Sequence, residues 1–431
     1  MAESGRRLFQ GMTPAKWQNL AIGALIVFYA AQIALDVAWG NLFGHFALDF
    51  AAFWSAGFIA NHQGYAAVYN LDLMGRIQHP LLPAIASSPY VFHPIPTPYL
   101  PVFILPFQLL ALVPPVPAAY VWEILNFLGT IAYLWFFSNK IGGRSPRGHL
   151  IILMMVSAPV FLNLFAGQVN LLLAISAGQY LRAAIAGRRF QSGLWLGGLL
   201  LKPQCLILIA PALLLQRSLK SMLGLCASSA AILGASLLLG GVESLSKLAQ
   251  LWLGYAAGLP TNDVSLMMNW RMIGVQLGTV IGPQRAWIIA MTGLAVTAFA
   301  TLALWLRPVR TDSARFVLSV TATLAATGAV AWHSHVHTAM IVIPPLIVLY
   351  RTQRALLGKI LGWWVFLPAS LYFVRLMLAS MIHAGIMPGQ ASGFLDLIAG
   401  AGSFGLSLYL LGWAIWILRK LPTTSTPQPR P

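Results

Sequence analysis

The sequence predicts an all-α polytopic membrane protein with about a dozen crossings. Three observations carry that prediction. Hydrophobic residues make up 58% of the 431-residue chain, charged residues 8%, and the mean hydropathy is +0.77. Soluble domains carry roughly 25% charged residues. Apolar stretches recur along the chain at the length a bilayer needs, roughly 20 residues each. The basic residues then collect in the short segments between those stretches, as in cytoplasmic loops. That placement argues against nucleic-acid binding as the reason for the net charge of +17.

The crossings are expected at 18–38, 118–138, 149–166, 169–186, 190–202, 203–216, 220–240, 286–306, 316–332, 338–350, 356–376 and 396–418. The first stretch follows Arg6, Arg7 and Lys16, and it lacks a clear small-residue cleavage site. It reads as an uncleaved first span. With the N-terminus inside, the inner segments hold 20 of the 26 basic residues. Only Arg76, Lys202, Lys247, Arg271, Arg285 and Arg375 fall outside, and this bias sets the orientation. Reading 190–216 as one span would put Arg307, Arg310, Arg315, Arg351 and Arg354 outside, so two short spans meeting at Lys202-Pro203-Gln204 are preferred. The stretch 98–113 lies between proline clusters and reads as an interfacial helix or re-entrant segment.

Three long segments then share the outer face, 39–117, 241–285 and 377–395, whereas the inner loops are short. Both termini are cytoplasmic in this reading. Residues 1–421 form one membrane domain, and the Thr/Pro-rich tail 422–431 is disordered. Cys205 and Cys226 both lie in apolar stretches and imply no disulfide framework.

Polar residues are scarce enough that each one in an apolar setting carries information. Asp and Glu total nine. Asp49 stands at the start of Asp49-Phe50-Ala51-Ala52-Phe53-Trp54 in the first outer segment. A carboxylate there can serve as a general base; equally, it can cap a helix starting at Phe50. Asp36, near the end of the first span, is a competing acid. Gly167-Gln168-Val169-Asn170 separates two apolar runs. Gln168 and Asn170 can bind a headgroup or sugar, or simply close a turn. Lys202 sits among leucines with no acid on its own segment, which favours an anionic ligand over snorkelling. Asn269-Trp270-Arg271 places a guanidinium, suited to phosphate, on the second outer segment. His333, His335 and His337 alternate at the end of a span. No acid or cysteine accompanies them, so hydrogen bonding to a headgroup fits better than a metal. No Walker or dinucleotide fingerprint occurs.

Taken in order, these motifs resemble the bacterial family 87 glycosyltransferases of the C-type (GT-C) membrane superfamily, which includes polyprenyl-phosphate-mannose-dependent α-mannosyltransferases. The resemblance runs through Asp49-Phe50, Gly64 and Tyr69; Phe92-His93-Pro94, Pro101 and Pro106; Gly167-Gln168-Val169-Asn170; Gly193, Gly197, Gly198 and Leu201-Lys202-Pro203-Gln204; and His337 before Pro344-Pro345. Two positions depart from the pattern. His93-Pro94-Ile95-Pro96 stands where the family often has Tyr-Pro-Pro. Ser334-His335-Val336 precedes the last histidine, where the family usually has Trp and an acid, so His335 and His337 both stay open.

The resemblance implies a GT-C architecture with interfacial helices in the first outer loop. It implies transfer of a hexose, mannose by family preference, from a polyprenyl-phosphate donor to an acceptor hydroxyl with inversion. Asp49 would be the base. Lys202, Arg271 and His337 or His335 would hold the donor phosphate, and Gln168, Asn170 and Asn269 would orient donor groups. No cofactor or metal is expected. The partners are the lipid-linked sugar, a lipid or glycan acceptor and the bilayer. The expected location is the bacterial inner membrane, with the site on its periplasmic or outer face. A lipid-linked saccharide flippase would show internal repeats and polar residues spread through mid-spans, and neither is evident. An O-antigen ligase or polymerase would rely on late-loop arginines and a histidine, without an essential acid in the first loop. A purely structural subunit gives no reason for Asp49, Lys202 and Arg271 to share a face.

Overall fold

The computed structural model describes residues 13–38, 42–43, 46–82, 93–142, 147–256, 264, 267–357, 359–383, 386 and 391–421. Arg6, Arg7, Phe92, Arg144, Arg430 and the tail 422–431 lie outside them. The described residues are helical with short 3-10 turns, and hold a single isolated β-bridge, Met267 to His335.

Six helices are long and apolar enough to cross a membrane. They are α1 (Pro14–Ala38), α5 (Pro115–Lys140), α11 (Leu219–Ala256), α13 (Pro283–Ala303), α17 (Ile360–His383) and α18 (Ala391–Lys420). A seventh crossing arises if α6 (Arg147–Met155) and α7 (Ala158–Phe165), bent by 55°, count as one span. The remaining expected spans are shorter or broken: α8 (Asn170–Ile185), α9 (Arg189–Leu196), α10 (Ile209–Leu215), α14 (Ala314–Val330) and α15 (Ile343–Thr352).

Burial differs sharply among these helices. In α14 every residue from Phe316 to Val330 is buried. Its threonine hydroxyls bond back to their own helix: Thr321 donates to the Val317 carbonyl at 2.8 Å and Thr327 to the Thr323 carbonyl at 2.7 Å. A helix apolar on every side is an interior helix, so α14 is enclosed, as is most of α15, whereas α9 leaves Phe190, Leu194 and Trp195 exposed. Small residues set how close they come. A Cβ at Gly193 of α9 would lie 1.9 Å from the Ser221 carbonyl oxygen of α11, and one at Gly224 of α11 would lie 2.1 Å from the Phe190 oxygen. This is the close helix approach that small residues permit inside membranes.

Three backbone breaks define the shape. α11 would run about 57 Å if straight, far beyond the roughly 30 Å of a hydrocarbon core. Gly241 (φ 70, ψ 177) interrupts it at the expected end of span 220–240. The segment beyond Gly241 turns back, so that Leu248 and Leu251 bury against Ala56, Ile59, Tyr65 and Val68. The other two breaks, at Gly167 and Lys202, build the site described below.

The long segment between α1 and α5 folds into α2 (Leu48–Gln63), a 3-10 turn (Tyr65–Tyr69), α3 (Leu71–Gln78) and α4 (Pro101–Leu110). Gly57 lets α2 cross α4 closely; its Cβ would meet the Phe107 carbonyl at 2.1 Å. Phe53 stacks on Phe107 at 4.8 Å, and Phe107 tilts against Trp122 of α5 at 5.0 Å. The extended strip 93–100 is pinned at both ends. The Gln78 amide pairs with the N–H and carbonyl of Ile95 (2.8 and 2.7 Å), and the Tyr69 hydroxyl donates to the Tyr99 carbonyl (2.7 Å).

Candidate active site

A cavity of about 640 Å³ opens where three parts of the fold meet. One wall comes from the long segment after α1: Asp49, Ala52 and Phe53 of α2 with Pro96, Pro98 and Tyr99 of the strip. The second holds Lys202, Gln204, Trp332, His333, His335 and His337. The third is largely apolar, from Leu162 and Phe165 of α7, Pro368 and Tyr372 of α17, and Ala399 and Gly400 of α18.

Local sequence explains how each polar group reaches this space. Gly167 has φ +72 and follows α7. Its N–H bonds the Leu164 carbonyl at 3.1 Å while the Gln168 N–H bonds the Asn163 carbonyl at 2.8 Å. That pair of bonds is a Schellman helix end, which calls for a residue able to adopt the left-handed region. The Ala166 carbonyl, left free by the helix end, accepts from the N–H groups of Asp49 (2.9 Å) and Phe50 (3.2 Å). α2 is thereby docked onto the turn. Asp49 sits inside the first turn of α2, and the N-cap position is Ala47, in the left-handed region with no side-chain cap. The carboxylate is therefore free of capping duty.

Its partner comes from the turn instead. Gln168 Nε2 donates to Asp49 Oδ2 at 2.6 Å, and Lys202 Nζ donates to Gln168 Oε1 at 3.2 Å. Lys202 owes its position to Pro203, which disfavours helix in the residue before it. Lys202 adopts φ −134, ψ 85 between two 3-10 turns. The lysine is buried, and among the described residues it makes no ion pair. A buried cation held by a neutral amide oxygen leaves room for an anion.

Asp49 is half-buried, and loss of water pushes its carboxyl above the usual range. The Gln168 hydrogen bond and the charge of Lys202 oppose that shift. Burial, together with His335, Lys202 and Arg271, holds His333 well below the ordinary imidazole value. That imidazole is neutral at physiological pH and offers a hydrogen bond rather than a charge.

Asp49, Gln168, Lys202, His335 and His337 all line the cavity; Asp36, Asn170, Asn269 and Arg271 do not. Asp36 lies on α1 and accepts from Gln32 at 3.1 Å. The sequence reading put Asn170 and Asn269 on the ligand, but in the structure both face the scaffold. Asn170 Nδ2 and N–H converge on Asn163 Oδ1, at 3.0 and 2.9 Å. Asn269 caps α12 (Trp270–Ile281) through the Met272 N–H at 3.0 Å, and its Nδ2 donates to the carbonyls of Ala331 (2.9 Å) and Trp332 (3.1 Å). Arg271 stands one layer back, with its guanidinium 5.2 Å from the centre of the Trp332 ring.

The family-87 glycosyltransferase model matches residues 97–333, more than half of the chain. The chain belongs to glycosyltransferase family 87. No curated protein and no solved structure matches it. The matched part of this family-87 chain contains Gln168, Lys202, Asn269, Arg271, Trp332 and His333, while Asp49, His335 and His337 lie outside it. Membership establishes a glycosyltransferase, and the long apolar helices make it a membrane protein.

Several residues escaped the sequence reading. Trp332, Tyr372 and Arg375 reach the cavity from elements far apart in sequence, and no local signal marks them. Glu123 did have a signal: it is a carboxylate in a crossing helix, functional by default. Its Oε1 is buried without a hydrogen bond, and a Cβ at Gly167 would lie 2.9 Å from it.

Gly167→Ala tests the turn. The new methyl would meet Phe50 Cβ at 2.7 Å in a left-handed conformation. A loss of about 2 kcal/mol or more is expected, read as a lower unfolding temperature in detergent together with reduced activity.

Proposed function

We propose that this enzyme transfers a hexose, mannose in the first instance, from a polyprenyl phosphate to an acceptor hydroxyl at the outer face of the bacterial inner membrane. The observation that carries the reading is the chain Asp49–Gln168–Lys202, in which a carboxylate and a buried cation share one amide and line one cavity. A glycosyl transfer from a lipid phosphate needs a base for the acceptor and a counter-charge for the leaving group.

In this mechanism the acceptor O–H gives its proton to Asp49 as its oxygen bonds to the anomeric carbon. The bond from that carbon to the phosphate oxygen breaks on the opposite face, and the electron pair stays on the phosphate. Configuration inverts. Lys202, with Arg271 behind Trp332, meets the growing charge, and the cavity-lining histidines donate hydrogen bonds to the phosphate oxygens or the sugar. Gln168 keeps base and cation at a fixed spacing. The apolar third wall would take the first isoprene units of the donor. Twelve crossings with both termini inside and interfacial helices in the first loop would bring this cavity to the outer surface; the 20 inner basic residues support that orientation.

The test is turnover of synthetic polyprenyl-phosphate mannose by the purified protein in nanodiscs, with a membrane-lipid extract as acceptor. Release of polyprenyl phosphate coupled to mannosylation is expected. Failure with mannose, glucose, galactose and arabinose donors alike would overturn the reading. Full activity in EDTA is also expected. Among the described residues no three His, Cys, Asp or Glu side chains are grouped to hold a metal, and Lys202 and Arg271 supply positive charge in its place. Loss in EDTA with rescue by a divalent ion would refute metal independence.

The raised Asp49 carboxyl gives a pH signature. A base must be ionised, so kcat/KM should fall as pH drops through the Asp49 pKa. Because that pKa is raised, the acid limb should lie above the ordinary carboxylate range of about 4. A profile flat down to about pH 4 would remove Asp49 from the role.

A further inference from the structure

The cavity's walls differ in a way that speaks to the acceptor. The third wall is built by α7, α17 and α18, of which α17 and α18 are long enough to cross the membrane, and it is lined mainly by Leu162, Phe165, Pro368, Ala399 and Gly400, with Tyr372 and Arg375 from α17. A lipid-borne donor reaches the site from the bilayer, along these mostly apolar side chains. The wall that carries Asp49 is different. It comes from the long segment between α1 and α5, and the surfaces it presents beside the base are the rings of Phe53, Pro96, Pro98 and Tyr99, joined by Trp252 from the far end of α11.

Trp252 is the ring with surface to spare. It is 37% exposed, against 7% for Tyr99 and 3% for Phe53, both of which the core consumes. Its orientation is fixed, because Nε1 donates to the Pro98 carbonyl at 3.0 Å. The kink at Gly241 sets this end of α11 against the 3-10 turn Tyr65–Tyr69 and α4, with Leu248 and Leu251 buried and Trp252 at the cavity. Phe53 lies one helical turn from Asp49 on the same face of α2. A flat aromatic face lining the same cavity as a general base suits the C–H face of a pyranose, with one ring hydroxyl directed to the carboxylate.

We propose that the acceptor is a saccharide, whose terminal pyranose ring stacks on Trp252 against Pro98 and presents a hydroxyl to Asp49. The proposal rests on the transferase reading and adds the acceptor's chemical class to it. The bland alternative is that Trp252 is an interfacial anchor of the kind enriched at membrane surfaces.

The experiment offers the nanodisc enzyme octyl α-mannopyranoside and octyl β-glucopyranoside beside decanol and diacylglycerol, with polyprenyl-phosphate mannose as donor and the glucose and galactose donors in parallel. Transfer to at least one pyranoside at about tenfold or more the rate of either alcohol is expected. Trp252→Ala should raise the pyranoside KM about tenfold, near the upper end of what one aromatic face contributes. The rise should be several times larger than any change in donor KM, and Trp252→Phe should recover most of it. Equal transfer to alcohols, or equal shifts in both KM values, would overturn the saccharide acceptor while donor turnover keeps the transferase reading intact. Absence of donor turnover with every acceptor, and of donor hydrolysis in water, would overturn the reading and the acceptor class together. The wild-type acceptor preference decides the matter even if the alanine variant fails to fold.

Discussion

Asp49→Asn should lower kcat by about 10²–10⁴-fold, the range for loss of a general base, with donor KM changed little. The substitution keeps the shape of the side chain. Gln168 Nε2 can still donate to the remaining oxygen, as it does to Oδ2 at 2.6 Å, so the amide stays in place between residue 49 and Lys202. What disappears is the capacity to hold the acceptor's proton. Because Asp49 is not the N-cap of α2, the variant should unfold within a few degrees of wild type, and a thermal scan in detergent separates lost chemistry from lost fold. An unimpaired variant would place the base elsewhere. Glu123, whose Oε1 is buried and unpaired next to Gly167, and Asp36 on α1 would then be tested, although neither lines the cavity.

Lys202→Met is the second large effect. It keeps the apolar stem and removes the charge. Loss of one preorganised group that stabilises developing charge lowers kcat by about 10²–10³-fold, and that is the expectation here. The interaction strengthens as the phosphate leaves, so the loss should fall mainly on kcat, with a smaller rise in donor KM. The variant also removes a buried cation, so the protein should not be destabilised and may be measured at the same temperature. A change below about threefold in both parameters would show that Arg271 and the histidines meet the leaving group without it. The double variant Asp49→Asn, Lys202→Met should lose less than the product of the single losses, because the two residues act on one transition state through one amide.

Much of the local geometry was legible in the sequence. Lys202-Pro203 foretold a break between two short helices, because a residue before proline leaves the helical region, and the break is there. Gly167-Gln168 foretold a turn, and the glycine ends α7 in the left-handed region. The functional and bland readings of that motif proved compatible: Gly167 closes the helix, which frees Gln168 to point at Asp49. For Asp49 the capping reading fails, because α2 begins two residues earlier than the sequence implied, at Leu48. The roles of Asn170 and Asn269 could not be separated from those of Gln168 and Arg271 by sequence. A polar side chain at a helix end binds scaffold or ligand according to which acceptors its neighbours leave open, here the Asn163 side-chain oxygen and the carbonyls of Ala331 and Trp332.

The sequence by itself determined the membrane class, the apolar stretches, the breaks at Gly167 and Lys202, and a short set of polar residues to consider. These follow from composition and from single-residue backbone preferences, which act locally. The tertiary structure alone decided which stretches are interior. Apolar residues facing lipid and apolar residues facing protein read alike, so the enclosed α14 and the outer α13 looked equivalent. It alone decided that Asp49 meets Gln168 across 119 residues, and that Gln168 meets Lys202 across 34. A side-chain hydrogen bond forms only within about 3 Å, a distance set by how helices cross rather than by the order in which the chain supplies them.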